Sequence, residues 1–441
     1  MKNNVLATST SALDIFKLSV SILGVWGILI LSIANIHLNP FIVVGVCTIP
    51  LIALPTAMYY RYTSFIAPLC FAMHGIFAII LAITLFFRSQ HIDKKQVIFP
   101  IFLILLELFS TITLIVDSIK VVDIVIYFAY LCIFFHFLFY NTTQQQNVDF
   151  LRFFSIGLFI SLIIIYANIF TSMKTIDLIE GTIRGGATMG SDENETLSES
   201  YIAMNANSIA YYALTLLSSL LLGAKNIGLP KFFVGIACII AIAGGILTFS
   251  RTFIILAACL AILFFLQLKN RYKVVFIIVT SIITLMILQN NNQVSDMIFS
   301  AFENRFENDN IETAGDRTLL FKDYNNFFIE NPRYWLIGTG AIHYKDVCNL
   351  NNSVHNGIQQ VYVCHGICGL IAFLCVIWMF CKKYHHRGTR FVQYLPLFAI
   401  FTFSQALQFL NPHFLMLPFL CIAYAIKLNI SNSDETLYNH S

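Results

Sequence analysis

The sequence predicts an all-α, polytopic integral membrane protein with about 12 transmembrane helices and two long polar segments on one side of the bilayer. Three observations carry that expectation. Hydrophobic residues fill 58% of the 441 positions and charged residues only 11%, too much apolar surface for one soluble core. Apolar runs recur along the chain, each near the roughly 20 residues that cross about 30 Å of hydrocarbon as a helix. Short connections rich in Lys and Arg alternate with longer polar ones, the pattern that orients membrane helices. The net charge of +3 gives no reason to expect a nucleic acid partner.

Taken in order, the runs lie near 16–35, 40–60, 65–87, 97–116, 121–140, 150–173, 207–224, 230–249, 252–268, 273–289, 356–381, 393–410 and 412–429. The opening MKNNVLATSTSALDI lacks a small-residue cleavage pattern, so the first helix is expected to stay attached. Four basic connections share one parity and mark the cytoplasmic side: Arg88 with Lys94 and Lys95; Lys225 with Lys231; Lys269 with Arg271 and Lys273; Lys382 and Lys383 with Arg387 and Arg390. Thirteen spans would leave Lys2 and Lys17 outside, so one early segment is expected not to span. The suspect is 40–60, interrupted by Pro40, Pro50 and Pro55. The whole chain, 1–441, reads as one membrane domain, with 174–206 and 290–355 as excluded, non-cytoplasmic loops. Most cysteines sit inside apolar runs as small buried residues. Cys348 and Cys364 are placed where a disulfide could form in an oxidising compartment.

The stretch SVHNGIQQVYVCHGICG ahead of LIAFLCVIWMF opens an apolar helix with polar residues. On a continuous helix at about 100° per residue, His355, Gln359, Tyr362, Gly366 and Gly369 fall near one stripe, polar at the mouth and small below. Asn356 accompanies His355 there. The pair reads either as a helix cap or as a contact for substrate, with the imidazole able to take a proton from a hydroxyl. Arg251, in Ser250-Arg251-Thr252, has almost no loop to carry it into water, and an arginine at a membrane edge calls for an anion. Arg184 and Arg317 lie in the two long segments on the same side. Three guanidinium groups could converge on a pyrophosphate, or each could pair with a nearby acid such as Asp316 or the Asp192-Glu193-Asn194-Glu195 run. Asn205 and Asn207 open another membrane helix, as caps or as ligand contacts. Glu107 at membrane depth, and Gln405, Gln408 and Asn411 near one face of the penultimate helix, are explained as well by hydrogen bonds between helices.

Together these residues resemble the O-antigen polymerase and O-antigen ligase superfamily. The resemblance rests on His355-Asn356 followed by Gly366-x-x-Gly369, on Ser250-Arg251-Thr252, on Arg184-Gly185 with Asn205-Ala206-Asn207, and on Asp316-Arg317 with Asn331-Pro332 and Gly338-Thr339-Gly340. It covers about 180–375. It implies a fold like that of lipid-donor glycosyltransferases in the bacterial inner membrane. The implied activity is transfer, at the periplasmic face, of a glycan held on undecaprenyl pyrophosphate. His355 would be the catalytic base and Arg184, Arg251 and Arg317 the pyrophosphate ligands; Asn356, Gln359, Tyr362, Asn205 and Asn207 would contact acceptor or groove. No metal or cofactor is expected, because the leaving group is already good. Expected partners are the lipid-linked oligosaccharide, membrane lipid and a chain-length regulator protein. The spacing of Arg184-Gly185 and the Asn205 helix start favours a polymerase, with a ligase as the alternative and a transporter of the same lipid-linked glycan as a second.

Overall fold

The structure is a computed structural model that describes residues 143–172, 206–223, 227–248, 250–267, 317–350, 354, 356–384 and 394–404, with isolated helical positions elsewhere. Among the described residues the chain is helical and contains no strand. The helices described are α1 (Gln144–Ser172), α2 (Ala206–Gly223), α3 (Lys231–Leu247), α4 (Arg251–Gln267), α5 (Arg317–Glu330), the short α6 (Tyr344–Cys348), α7 (Gly357–Tyr384) and α8 (Leu395–Ser404), and a 3-10 turn lies at Pro332–Tyr334. The expected spans before residue 143, and those near 273–289 and 412–429, lie outside the described segments, as do the 174–206 segment and the suspect 40–60 run.

The helix boundaries follow from local chemistry. Hydropathy places the start of α1 near residue 150, but the helix begins at Gln144 because Thr143 and Gln146 cap it reciprocally. The Gln146 side chain accepts from the Thr143 amide at 2.9 Å, and Thr143 Oγ1 accepts from the Gln146 amide at 3.3 Å. α3 and α4 meet after Thr248, whose hydroxyl donates to the Gly245 carbonyl at 2.6 Å and so satisfies one of the last acceptors of α3. The Ser250 carbonyl then receives the Ile254 amide at 3.1 Å and starts α4.

α2 is the hub. Residues 209–220 are buried throughout, and α1, α3, α4 and α8 pack around them. A helix buried on every side has no polar face to spare, and Thr215 and Ser219 bond back to its own backbone: Thr215 donates to the Tyr211 carbonyl at 2.8 Å and Ser219 to that of Leu216 at 2.9 Å. α3 comes close through small residues; Tyr166 of α1 lies over Gly244, and Phe253 of α4 over Gly245, where a methyl group would overlap each ring.

Arg152 fixes the polarity of this bundle. Its Nε donates to the Ile227 carbonyl at 2.7 Å, bringing the start of α1 to the α2–α3 connection. The end of α1, the start of α2 and the α3–α4 turn therefore lie together at the opposite end. The rings of Tyr211 and Phe403, 5.5 Å apart, bring the last turn of α8 to that same end. This agrees with the alternation expected from the basic loops over these helices. Two described helices are long and apolar enough to cross a membrane, Gln144–Ile163 and Gly357–Lys383, with shorter apolar helices at Lys231–Leu247 and Arg251–Leu263.

Candidate functional site

Arg251 is the first residue of α4, half-buried, and it shares its end of the bundle with Asn207 in the first turn of α2. The tight turn that places it there was legible in the sequence, since only Phe249 and Ser250 separate Arg251 from Thr248. Arg184, Asn205 and His355 lie outside the described residues, as do Glu107, Gln405, Gln408 and Asn411. The backbone of Arg317 opens α5, and its side chain is likewise outside. The structure thus brings Arg251 and the start of α2 together.

The residues around His355 are better defined. Asn356 caps α7: its Oδ1 accepts from the Gln359 amide at 3.0 Å and its carbonyl from the Gln360 amide at 2.8 Å. Gln359 is buried, and its carboxamide nitrogen donates to the Phe321 carbonyl of α5 at 3.0 Å and to Asn325 Oδ1 at 3.4 Å. One turn further on, the Tyr362 ring packs on Phe328 with centroids 4.8 Å apart. Phe321 to Phe328 and Gln359 to Tyr362 therefore run in the same sense. The starts of α5 and α7, near Arg317 and Asn356, lie side by side.

The continuous helix expected through Gly366 is corrected by the structure. Gly366 has φ 65° and ψ −166°, so α7 is two helical pieces joined at one non-helical residue. A helix interrupted in this way exposes carbonyls at one broken end and amides at the other. The turn between α5 and α6 satisfies both. The amides of Thr339 and Gly340 donate to the Val363 and Cys364 carbonyls at 2.9 and 2.8 Å, and the amides of Ile367 and Cys368 donate back to the Trp335 and Leu336 carbonyls at 2.7 and 3.2 Å. Thr339 Oγ1 adds a second bond to the Val363 carbonyl at 2.9 Å.

Such backbone-to-backbone approach leaves no room for a side chain. A methyl group on Gly338 (φ 77°) would run into the backbone of Cys364 and His365, and one on Gly366 into that of Leu336. Both residues also occupy the left-handed region that glycine enters without strain. The break takes Gly366 and Gly369 off the helical stripe that Gln359 and Tyr362 begin. The sequence held the signal, Gly338-Thr339-Gly340 and the Gly366 position, but helical spacing could not reveal that the two motifs lock into each other.

Tyr324 of α5 lies buried beneath this lock, its ring 6.0 Å from that of Tyr344. Burial, with Tyr344, Cys348 and Cys364 nearby, pushes its phenol well above the ordinary range. Cys348 and Cys364 are both buried free thiols, not the disulfide that was open on sequence grounds. Burial pushes the Cys348 thiol up to about 12, which leaves it protonated and inert.

The fold and these ends define a helical protein with apolar helices of membrane-spanning length and a capped polar lobe fastened to one of them. Residues 236–374 match the family model for O-antigen ligase, which supports the O-antigen ligase and polymerase superfamily for this chain, a family of glycosyltransferase-like membrane enzymes. The matched segment runs from α3 through the break in α7, and so contains Arg251, Arg317, His355 and the Gly338–Gly366 lock. Comparison with curated proteins gave no match.

Proposed function

We propose that the protein is an O-antigen or capsular polysaccharide polymerase of the inner membrane. In this reading it transfers a glycan from undecaprenyl pyrophosphate to the hydroxyl of a second lipid-linked repeat at the periplasmic face. The observation that supports it most is Arg251 at the start of α4, at the end of the bundle where α2 begins, within the segment that matches the family. Arg251, Arg184 and Arg317 stabilise the charge that develops on the departing pyrophosphate. His355 removes the acceptor proton, and Asn356, by capping α7, holds the backbone beside it. Gln359 and Tyr362 act on the groove through α5, to which they bond and pack, and Asn205 and Asn207 are further acceptor or groove contacts in this reading. A chain-length regulator protein is a partner of the same reading.

A ligase, which passes the finished polymer to lipid A-core, is the second reading, favoured by the description of the matching family. Deletion in the native host separates the two. Loss of all but single-repeat lipopolysaccharide is the polymerase outcome, and loss of every repeat with lipid-linked polymer accumulating is the ligase outcome. A transporter would be expected to use a discontinuous helix, and α7 is discontinuous. Its broken ends, however, are filled by the backbone of 335–340, whereas a transporter points such ends at its cargo. New glycosidic bonds made by the purified protein from a lipid-pyrophosphate glycan would exclude simple transport.

The test of the arginine assignment is Arg251→Lys. A lysine keeps the charge but loses the planar fork, so turnover should fall by about tenfold or more at normal protein level. Unchanged turnover would leave Arg251 a structural role. His355→Ala should abolish transfer while leaving donor binding intact.

A further inference from the structure

The lock at Gly366 joins two apolar surfaces that would otherwise be unrelated. On the second half of α7, Ile367, Ile371, Leu374 and Trp378 are all exposed and follow one another at spacings of four, three and four residues, a single helical face. Trp335 and Leu336, which receive the Ile367 and Cys368 amides, are 43% and 62% exposed. The exposed stripe of α7 therefore continues across the helix break onto the turn between α5 and α6. Two residues before Trp335, Arg333 lies over the Tyr334 ring at 4.7 Å and donates to its hydroxyl at 2.9 Å.

We infer that the 335–337 turn is a lipid-contacting anchor, seated at the outer edge of the hydrocarbon with Trp335 and Leu336 against acyl chains. Depth supports this. The span Gly357–Lys383 is 27 residues long, about 40 Å as helix against about 30 Å of hydrocarbon. With Lys382 and Lys383 at one membrane face, Gly366 lies about 26 Å along the axis from Lys383, a few Å inside the other face. That is the level at which tryptophan concentrates. Irregular backbone survives at such depth only when its polar groups are satisfied. Here the turn's Trp335 and Leu336 carbonyls accept from the broken helix, and the Trp335 indole nitrogen donates to the Phe328 carbonyl at 2.6 Å. Apolar side chains are presented outward while the backbone is paired inward. The occupant is bilayer lipid, because the stripe is continuous with the outer surface of a membrane-length helix.

The sequence contains three tryptophans, which makes the test direct. Full-length protein carrying Trp26→Phe and Trp378→Phe, leaving Trp335 as the sole reporter, is placed in nanodiscs of phosphatidylcholine brominated near the headgroup end of its acyl chains. The matching variant that keeps only Trp378 serves as the lipid-facing reference. Trp335 fluorescence should be quenched by at least about half as much as that of Trp378, with little further loss on adding aqueous iodide. Quenching by iodide with no response to brominated lipid would overturn the anchor. Should the tryptophan variants fail to accumulate, Leu336→Cys offers the same decision. In cells with a permeable outer membrane it should react with an impermeant maleimide at least about tenfold more slowly than Lys345→Cys, which is exposed on α6. Equal rates would place Leu336 in water and end the proposal. Neither readout depends on glycan transfer, so the anchor and the proposed enzymatic reading can fail separately.

Discussion

The bundle around α2 and the lobe locked onto α7 are held by different forces. In the bundle, residues 209–220 are buried by four neighbouring helices, and what decides the packing is side-chain volume and small-residue contact. In the lobe, the decisive contacts are backbone hydrogen bonds between a turn and a broken helix, with Gly338 and Gly366 at the crossing. The first kind of contact tolerates exchange among apolar residues of similar size. The second specifies single positions, because neither positive φ nor a backbone in van der Waals reach can be repacked around.

The largest effect should come from Gly366→Leu. It combines a strained left-handed backbone with a clash against Leu336, and should cost on the order of 3 kcal/mol or more, read as loss of monodisperse protein after detergent extraction. The contrast is Gly235→Ala in α3, where nothing lies near the added methyl. Alanine there should be neutral or stabilising by up to about 1 kcal/mol, as seen in thermal unfolding. A comparable loss at both positions would erase the distinction between lock and bundle.

Next should come Gly244→Ala, at roughly 1–3 kcal/mol. Its neighbour is the Tyr166 side chain, which can shift, so the cost should fall below that of Gly366→Leu by the same unfolding measurement. Gln359→Glu sharpens the comparison from the lobe's side. It keeps shape but turns a donor toward Phe321 into an acceptor, and should cost about 2 kcal/mol while releasing α5 to limited proteolysis. If α5 stays protected, the carboxamide contact does not hold the lobe. The smallest loss should be at Thr339→Val, which removes one hydroxyl bond but keeps the backbone one, at about 1 kcal/mol.

The lobe also contributes a pH dependence. Cys348 is held up to about 12 in the folded protein against an ordinary value of 9.0, so below pH 9 its contribution is fully present. As pH rises from 9 toward 12, only the unfolded chain gives up the proton, and stability is lost. A Cys348→Ser variant should show a flatter decline of unfolding temperature over that window. An identical decline would assign the alkaline loss elsewhere.

What the sequence revealed divides along the same line. α2, α3 and α4 were legible to within about two residues at their ends, because apolar length and a two-residue turn leave few alternatives. The early start of α1 was not, since the Thr143 and Gln146 cap lies in a polar stretch that hydropathy reads as loop. At the site, the position of Arg251 followed from the shortness of the turn. Asn356 proved to be a cap, one of the two readings its position allowed. The break at Gly366 was hidden because an apolar run looks the same whether or not one residue leaves the helix, and the reason for leaving it lies in a turn some thirty residues earlier.

That short separation has a consequence for biogenesis. Trp335 precedes Ile367 by 32 residues, and the Thr339 to Val363 bond spans 24. The loop to be closed is small, so its entropic cost is low. In the expected topology both partners lie on the non-cytoplasmic side, so the lock closes only after the turn and the start of α7 have crossed the membrane. What closure leaves of α7 for the hydrocarbon is Ile367 onward, a shorter and more uniformly apolar stretch than the whole helix.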